Sequence, residues 1–344
     1  MARENGQHAA DQARHQQADG HHPGGARTHT IPVVPPGDRI PHAFAITSMP
    51  PPRNFARRFR LSCRPGVPSL SALRTIAPFM IVRLLPLLAV FLPLSLAAQA
   101  PESVMVVEAY SGKILVASNA SQKRPGASLN KIATAVVAID WATASGRDIS
   151  TVMAAAPQTV ALVGGPNPMN LQPGDRLSLR DALYSALLGS DNLAALTIAD
   201  HVGRDLLARR GRDGDPVAAF VAEMGRLGQA VGMSQTNFVN PHGLDIRNTK
   251  GYSTAADMAK LSVYAMRRNA FTFIVRQPNR NVTVSGPGGD RKYLVRNTNQ
   301  LVGEPGILGI KTGTTNAAGQ CVAVCMDREP LVRMKADEGF PVHA

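Results

Sequence analysis

Apolar positions follow two rhythms along this chain. Alternating stretches lie near both ends of residues 101–344. "VMVVEAYSGKILVAS" (104–118) reads as two strands around a Ser-Gly-Lys turn, and "GILGIKTGTT" (306–315) with "AAGQCVAVCM" (317–326) as two more joined by a turn. Helical spacing fills the middle. "RPGASLNKIATAVVAID" (124–140) opens like a helix and is apolar almost all the way round, which predicts a buried helix. "LQPGDRLSLRDALYSALLGSDNLAALTIADHVGR" (171–204) gives a Pro-Gly turn and then helical stretches, with Leu183, Ala186 and Leu187 on one face. Further helices are predicted over 215–233 and 254–268, with a loop, 234–253, between them. Strands, then helices, then strands predict an α/β chain of the α+β kind. Its antiparallel sheet has the first and last strands of 101–344 meeting, with helices on its faces and clustered beside it.

The segment before residue 101 has a different character. Residues 1–79 show no apolar period, hold six of the nine histidines, and read as disordered or as an upstream segment translated from too early a start. The histidine spacing fits no metal-ligand set, so no metal is predicted. "MIVRLLPLLAVFLPLSLAAQA" (80–100) has Arg83, an apolar run and a small-residue end, Ala98-Gln99-Ala100, which reads as a secretory signal peptide. Prolines 86 and 93 argue against a permanent span. The domain expectation is therefore 1–79 disordered or translated from too early a start, 80–100 a signal peptide, and 101–344 one functional domain.

Charge adds little to this picture. The net charge is +13, and ten arginines against four acids put +6 of it in residues 1–79. The excess therefore does not mark a nucleic-acid surface on the predicted fold. Cys321 and Cys325 are four apart in a strand, on one face but about 13 Å apart by strand rise, and are read as core residues and not as a bonded pair.

The chemistry begins at Ser128 and Lys131, one helical turn apart in the most apolar helix of the chain. Burial lowers a lysine's pKa, and a neutral amine beside a hydroxyl is a base for it. S-x-x-K alone is weak, since Ser128 can simply cap the helix and Lys131 can reach solvent. Two further stretches change the weighting: Ser190-Asp191-Asn192 and Lys311-Thr312-Gly313 follow in the order of the serine signature shared by penicillin-interacting enzymes.

With these motifs, residues 103–326 resemble the serine-type D-alanyl-D-alanine carboxypeptidases, the low-molecular-weight penicillin-binding proteins. "MSQTNFVNPHGLD", "GYSTAADMAKL" and "NTNQLVGEPGILGIKTGTTNAAGQC" resemble that family's later blocks. The resemblance implies a five-stranded antiparallel sheet flanked by helices, an all-helical subdomain, and a site between them. It implies Ser128 as the acylated nucleophile, Lys131 as general base and Ser190 as proton relay. Asn192, Lys311, Thr312, Gly313 and Thr314 would bind substrate, and the backbone N–H groups of Ser128 and Thr314 would form the oxyanion hole. The implied partners are peptidoglycan stem peptides ending in D-Ala-D-Ala, and β-lactams as covalent inhibitors. No cofactor and no nucleic acid are implied, and membrane contact comes only through an uncleaved signal segment. The implied location is the periplasm or the outer face of the inner membrane.

Gly126 and Asp191 depart from the family's usual residues without removing a functional group. After Cys325 the chain runs "MDREPLVRMKADEGFPVHA", where the family continues through a last strand and a closing helix. A C-terminally truncated domain with an unpaired sheet edge is therefore expected. The alternatives are a D,D-endopeptidase, a β-lactamase with Glu223 as the nearest candidate to activate water, or an inactive peptidoglycan-binding homologue.

Overall fold

The computed structural model describes residues 43–49, 102–245 and 249–327. They belong to one of the chain's two compact units, residues 31–344. The N-terminal and C-terminal expectations for residues 80–100 and 328–344 lie outside the described residues.

In chain order the elements are strands β1 (Ala43–Met49), β2 (Val104–Glu108) and β3 (Ile114–Ser118), then helix α1 (Asn130–Ala144). Strands β4 (Met153–Ala155) and β5 (Arg176–Ser178) lead to helices α2 (Leu179–Leu187), α3 (Asn192–Arg209) and α4 (Pro216–Ala230). Helices α5 (Ala255–Met266) and α6 (Asn269–Val275) precede strands β6 (Asn279–Gly286), β7 (Gly289–Arg296), β8 (Ile307–Thr315) and β9 (Gly319–Met326). Most helices start where a short polar side chain satisfies a free N–H: Ser178 for α2, Asp191 for α3, Asp215 for α4 and Thr254 for α5. Helix α1 has no such cap and enters instead from a 3₁₀ turn, Ala127–Leu129.

The main sheet is antiparallel, in the order β3-β2-β1-β9-β8. Two expectations need correction here. Strands β2 and β9 do not meet, because β1 lies between them, pairing Ala43 with both Glu108 and Met326. The sheet does have the five strands the resemblance implies, but the middle one comes from residues 1–79, the segment expected to be disordered or upstream of the true start. Residues 43–49 escaped the sequence reading because "AFAITSM" does not alternate apolar with polar residues and lies in a Pro- and Arg-rich stretch. What holds a strand in a sheet is main-chain pairing, which many sequences can supply. A second antiparallel sheet, β4-β5-β6-β7, was not anticipated, including its hairpin around Gly286–Gly289.

Helix α1 sits at the centre of the helical part and touches each of α2 to α6. Ile132, Ala133, Val136 and Ala138 are fully buried, as the apolar run predicts. Its C-terminal half carries Asp140, which accepts two hydrogen bonds from the Arg268 guanidinium at 2.8 and 2.9 Å. Helix α5 packs on β1, β2 and β9, while the 3₁₀ turn before α1 packs on β8 and β9. The N-terminus of the central helix is thereby brought against the sheet edge.

Candidate active site

Three segments converge at that junction. The first is the turn into α1. Ala127 has φ +45°, a left-handed conformation that costs energy for a residue with a Cβ. Such strain persists only where the surroundings fix it. Two glycines do so here. A Cβ on Gly243 would lie 1.8 Å from the Ala127 carbonyl oxygen, and one on Gly313 would lie 2.8 Å from the Ser128 nitrogen. The backbone of Ala127–Ser128 is thus clamped between two chain segments that approach closely only because they lack side chains.

One turn on, Lys131 is fully buried. Its Nζ lies 2.9 Å from Ser128 Oγ, 2.7 Å from Asn192 Oδ1 and 2.8 Å from the His242 carbonyl oxygen. Burial pushes the Lys131 pKa well down, and the positive charge of Lys311 pushes it further. A neutral amine has two N–H donors and one lone pair. Asn192 Oδ1 and the His242 carbonyl can only accept, so they take the two donors. The lone pair is then left for the Ser128 hydroxyl proton, which is the geometry of a base and its nucleophile.

The second segment is the turn before α3. Ser190 is buried and has φ +58°, a second strained non-glycine residue. Asp191 explains the turn: its Oδ1 accepts from the Leu193 and Ala194 N–H groups, and its Oδ2 accepts from Ser185 Oγ at 2.8 Å. Burial raises the Asp191 pKa, opposed by these bonds. The aspartate is a local clasp that orients its two neighbours. Asn192 Nδ2 donates to the Gly164 carbonyl at 2.8 Å, which docks the 163–167 loop on it. Gly165 there has φ +94°, and a Cβ would meet Asn192 Nδ2 at 2.3 Å.

The third segment is β8. Lys311 is buried, donates to the Thr312 carbonyl at 2.8 Å, and has its pKa lowered by burial to about 7. Thr312 Oγ1 lies 2.7 Å from Thr298 Oγ1. Gly313 faces the Ser128 N–H, and Thr314 follows it, exposed.

The structure therefore brings Ser128, Lys131, Asn192, Lys311 and Gly313 together, with Ser190, Thr312 and Thr314 adjacent in chain. Glu223 is elsewhere: its carboxylate is taken up by Arg210 and Arg226. Cys321 and Cys325 are free thiols whose pKa values burial raises to about 11 and about 12. Among the described residues no group of three or more His, Cys, Asp or Glu is placed to hold a metal ion. Sequence reasoning missed the "PHG" turn. Its Pro241 and His242 carbonyls accept from Thr134 and Lys131, and Gly243 supports Ala127. Burial and then the Lys131 charge lower the His242 pKa to about 4. The sequence signals only a turn there, through a Pro and a Gly in the predicted 234–253 loop.

The D-alanyl-D-alanine carboxypeptidase family matches residues 93–330. The D-alanyl-D-alanine endopeptidase of Escherichia coli K12 is 28% identical over 224 residues, covering 64% of this chain and 66% of that one. The endopeptidase of the same name from Pseudomonas aeruginosa is 29% identical over 270 residues, covering 72% and 80%. The D-alanyl-D-alanine carboxypeptidase DacB2 of Mycobacterium tuberculosis is 31% identical over 215 residues, covering 62% and 66%. The chain spans about half the length of several other curated relatives. Among solved structures, the Streptomyces K15 DD-transpeptidase superposes with a TM-score of 0.56 at 24% identity, over 64% of this chain and 82% of that one. The DacD carboxypeptidase of Francisella tularensis gives 0.54 at 25% identity, over 65% and 62%.

Proposed function

The chain belongs to the D-alanyl-D-alanine carboxypeptidase family of peptidases, and from that membership we propose that it is a serine D,D-peptidase working through an acyl-enzyme on Ser128. The observation that carries this is the placement of Lys131 Nζ, with two of its neighbours able only to accept. Ser128 Oγ attacks the carbonyl carbon between two D-alanines while its proton passes to Lys131. The backbone N–H groups of Ser128 and Thr314 receive the oxyanion. The C–N bond then breaks, and the leaving amine takes the proton from Lys131, relayed by Ser190. Water repeats the sequence on the ester: Lys131 takes its proton, hydroxide adds, and Ser128 leaves with the proton restored.

Asn192 holds the substrate amide, and Lys311 with Thr312 meets the C-terminal end. The substrate is a peptidoglycan stem peptide ending in D-Ala-D-Ala, the reaction removes the last D-alanine, and β-lactams acylate the same serine. A substrate of that class would have the working chain act outside the cytoplasmic membrane. Cleavage of cross-linked peptides is the second reading, favoured by the two relatives named endopeptidases. Release of D-alanine from diacetyl-Lys-D-Ala-D-Ala by the purified chain tests the proposal. Release by the wild type and none by Ser128→Ala is the expected result; equal release by both would refute it.

A further inference from the structure

Thr298 lies in the connection between β7 and β8. Its N–H donates to the Leu188 carbonyl at 2.9 Å, two residues before Ser190. Its hydroxyl meets that of Thr312 at 2.7 Å. One residue thus bridges the Ser190 turn and β8, the two segments assigned above to substrate. Its neighbours hold it there. The Asn297 N–H donates to Pro278, and its Nδ2 donates to the Gln277 and Val275 carbonyls at 2.9 and 3.1 Å. Asn297 Oδ1 accepts the Asn299 N–H at 2.9 Å, and Asn299 Oδ1 accepts that of Leu301. Asn297 spends its whole side chain on backbone and Asn299 its Oδ1, while the buried Asn299 Nδ2 has no partner among the described residues, and the threonine between them does not bond backbone through its side chain.

The Thr298 side is exposed, and a hydroxyl pair in contact with water adds little to stability, because water replaces either bond. So much local fixing of a weakly stabilising contact suits a ligand. Each threonine hydroxyl has one proton and two lone pairs. When the two are paired, one proton is used between them. When they part, both can point at the oxygens of a single acyl group. We propose that Thr298 is a specificity-determining residue, which with Thr312 forms a neutral hydroxyl pair receiving the C-terminal carbonyl group of the leaving D-residue. This rests on the D,D-peptidase reading and extends its substrate class. Hydroxyl donors bond a carboxylate and, more weakly, an amide carbonyl, so peptides with a substituted C-terminus also fit this pair. Any strong preference for charge then falls to Lys311.

The test compares wild type, Thr298→Val and Thr298→Ser on diacetyl-Lys-D-Ala-D-Ala and on its C-terminal amide. Thr298→Val keeps the shape and removes the hydroxyl. It is expected to raise KM about three- to tenfold on both substrates with kcat within about twofold. Thr298→Ser is expected to restore KM to within about twofold, and the unfolding midpoint should not move. An unchanged KM in the valine variant overturns the inference. So does a loss confined to the free acid, or a parallel fall of kcat and midpoint, which would mark a structural role. A wild type that neither hydrolyses these peptides nor labels with penicillin overturns the D,D-peptidase reading, and this inference with it.

Discussion

Replacing Lys131 by methionine separates a catalytic lysine from a structural one. The methionine keeps most of the stem volume inside a fully buried site, with sulfur in place of Cδ, and removes the amine. Three contacts disappear, to Ser128 Oγ, Asn192 Oδ1 and the His242 carbonyl. Two of these partners are buried acceptors, and leaving each bare costs about 1–3 kcal/mol. Against that stands the desolvation that the amine no longer suffers, so the net loss of stability is expected to be about 1–3 kcal/mol. A domain stable by roughly 5–15 kcal/mol remains folded after such a loss. Loss of a general base slows the reaction by about 10²–10⁴. The assay is the rate of covalent labelling of folded protein by a fluorescent penicillin, with the folded fraction monitored by circular dichroism. Labelling slowed at least a hundredfold in a folded Lys131→Met variant is expected. Labelling within about tenfold of wild type would show that the lysine only packs, and the reading of Lys131 as a base held by two acceptors would fail.

The pH profile of kcat/KM is expected to need Lys131 neutral and Lys311 charged. Because burial sets Lys311 near 7, kcat/KM on the free-acid peptide should decline above about pH 7 as that ammonium loses its proton, and the decline should vanish in Lys311→Met; a wild type flat from pH 7 to 9 would contradict this. Gly243→Ala should slow penicillin labelling more than tenfold and destabilise the chain by about 1–3 kcal/mol, since its Cβ meets the Ala127 oxygen at 1.8 Å. Gly146→Ala, also at positive φ but with nothing within 4 Å, should leave labelling unchanged; equal behaviour of the two would refute the clamp. Deleting residues 43–49 should lower the urea midpoint, because β2 and β9 lose their shared neighbour, and a peptide of that sequence should restore it; an unchanged midpoint would remove β1 from the account.

The sequence carried the site further than it carried the fold. Ser128 and Lys131 were legible because a polar pair in a run of buried apolar residues stands out, and Lys311 and Asn192 because short motifs fixed their order. The helices could be read from their periods and caps. Strand β1 could not, since "AFAITSM" does not alternate apolar with polar residues and its partners lie more than fifty residues along the chain or beyond. The roles of His242 and Gly243 were invisible for another reason. One acts through a backbone carbonyl and the other through having no side chain, and neither property marks a residue type as chemical. Thr298 shows the same limit: only the packing of β7, β8 and the Ser190 turn reveals what its hydroxyl faces.

The central claim is that Ser128 becomes covalently acylated, and intact-protein mass spectrometry after incubation with benzylpenicillin tests it most directly. The prediction is one added penicillin mass, mapped after digestion to the peptide containing Ser128 and missing from Ser128→Ala. No adduct on the folded wild type, or an adduct that persists in Ser128→Ala, would contradict it.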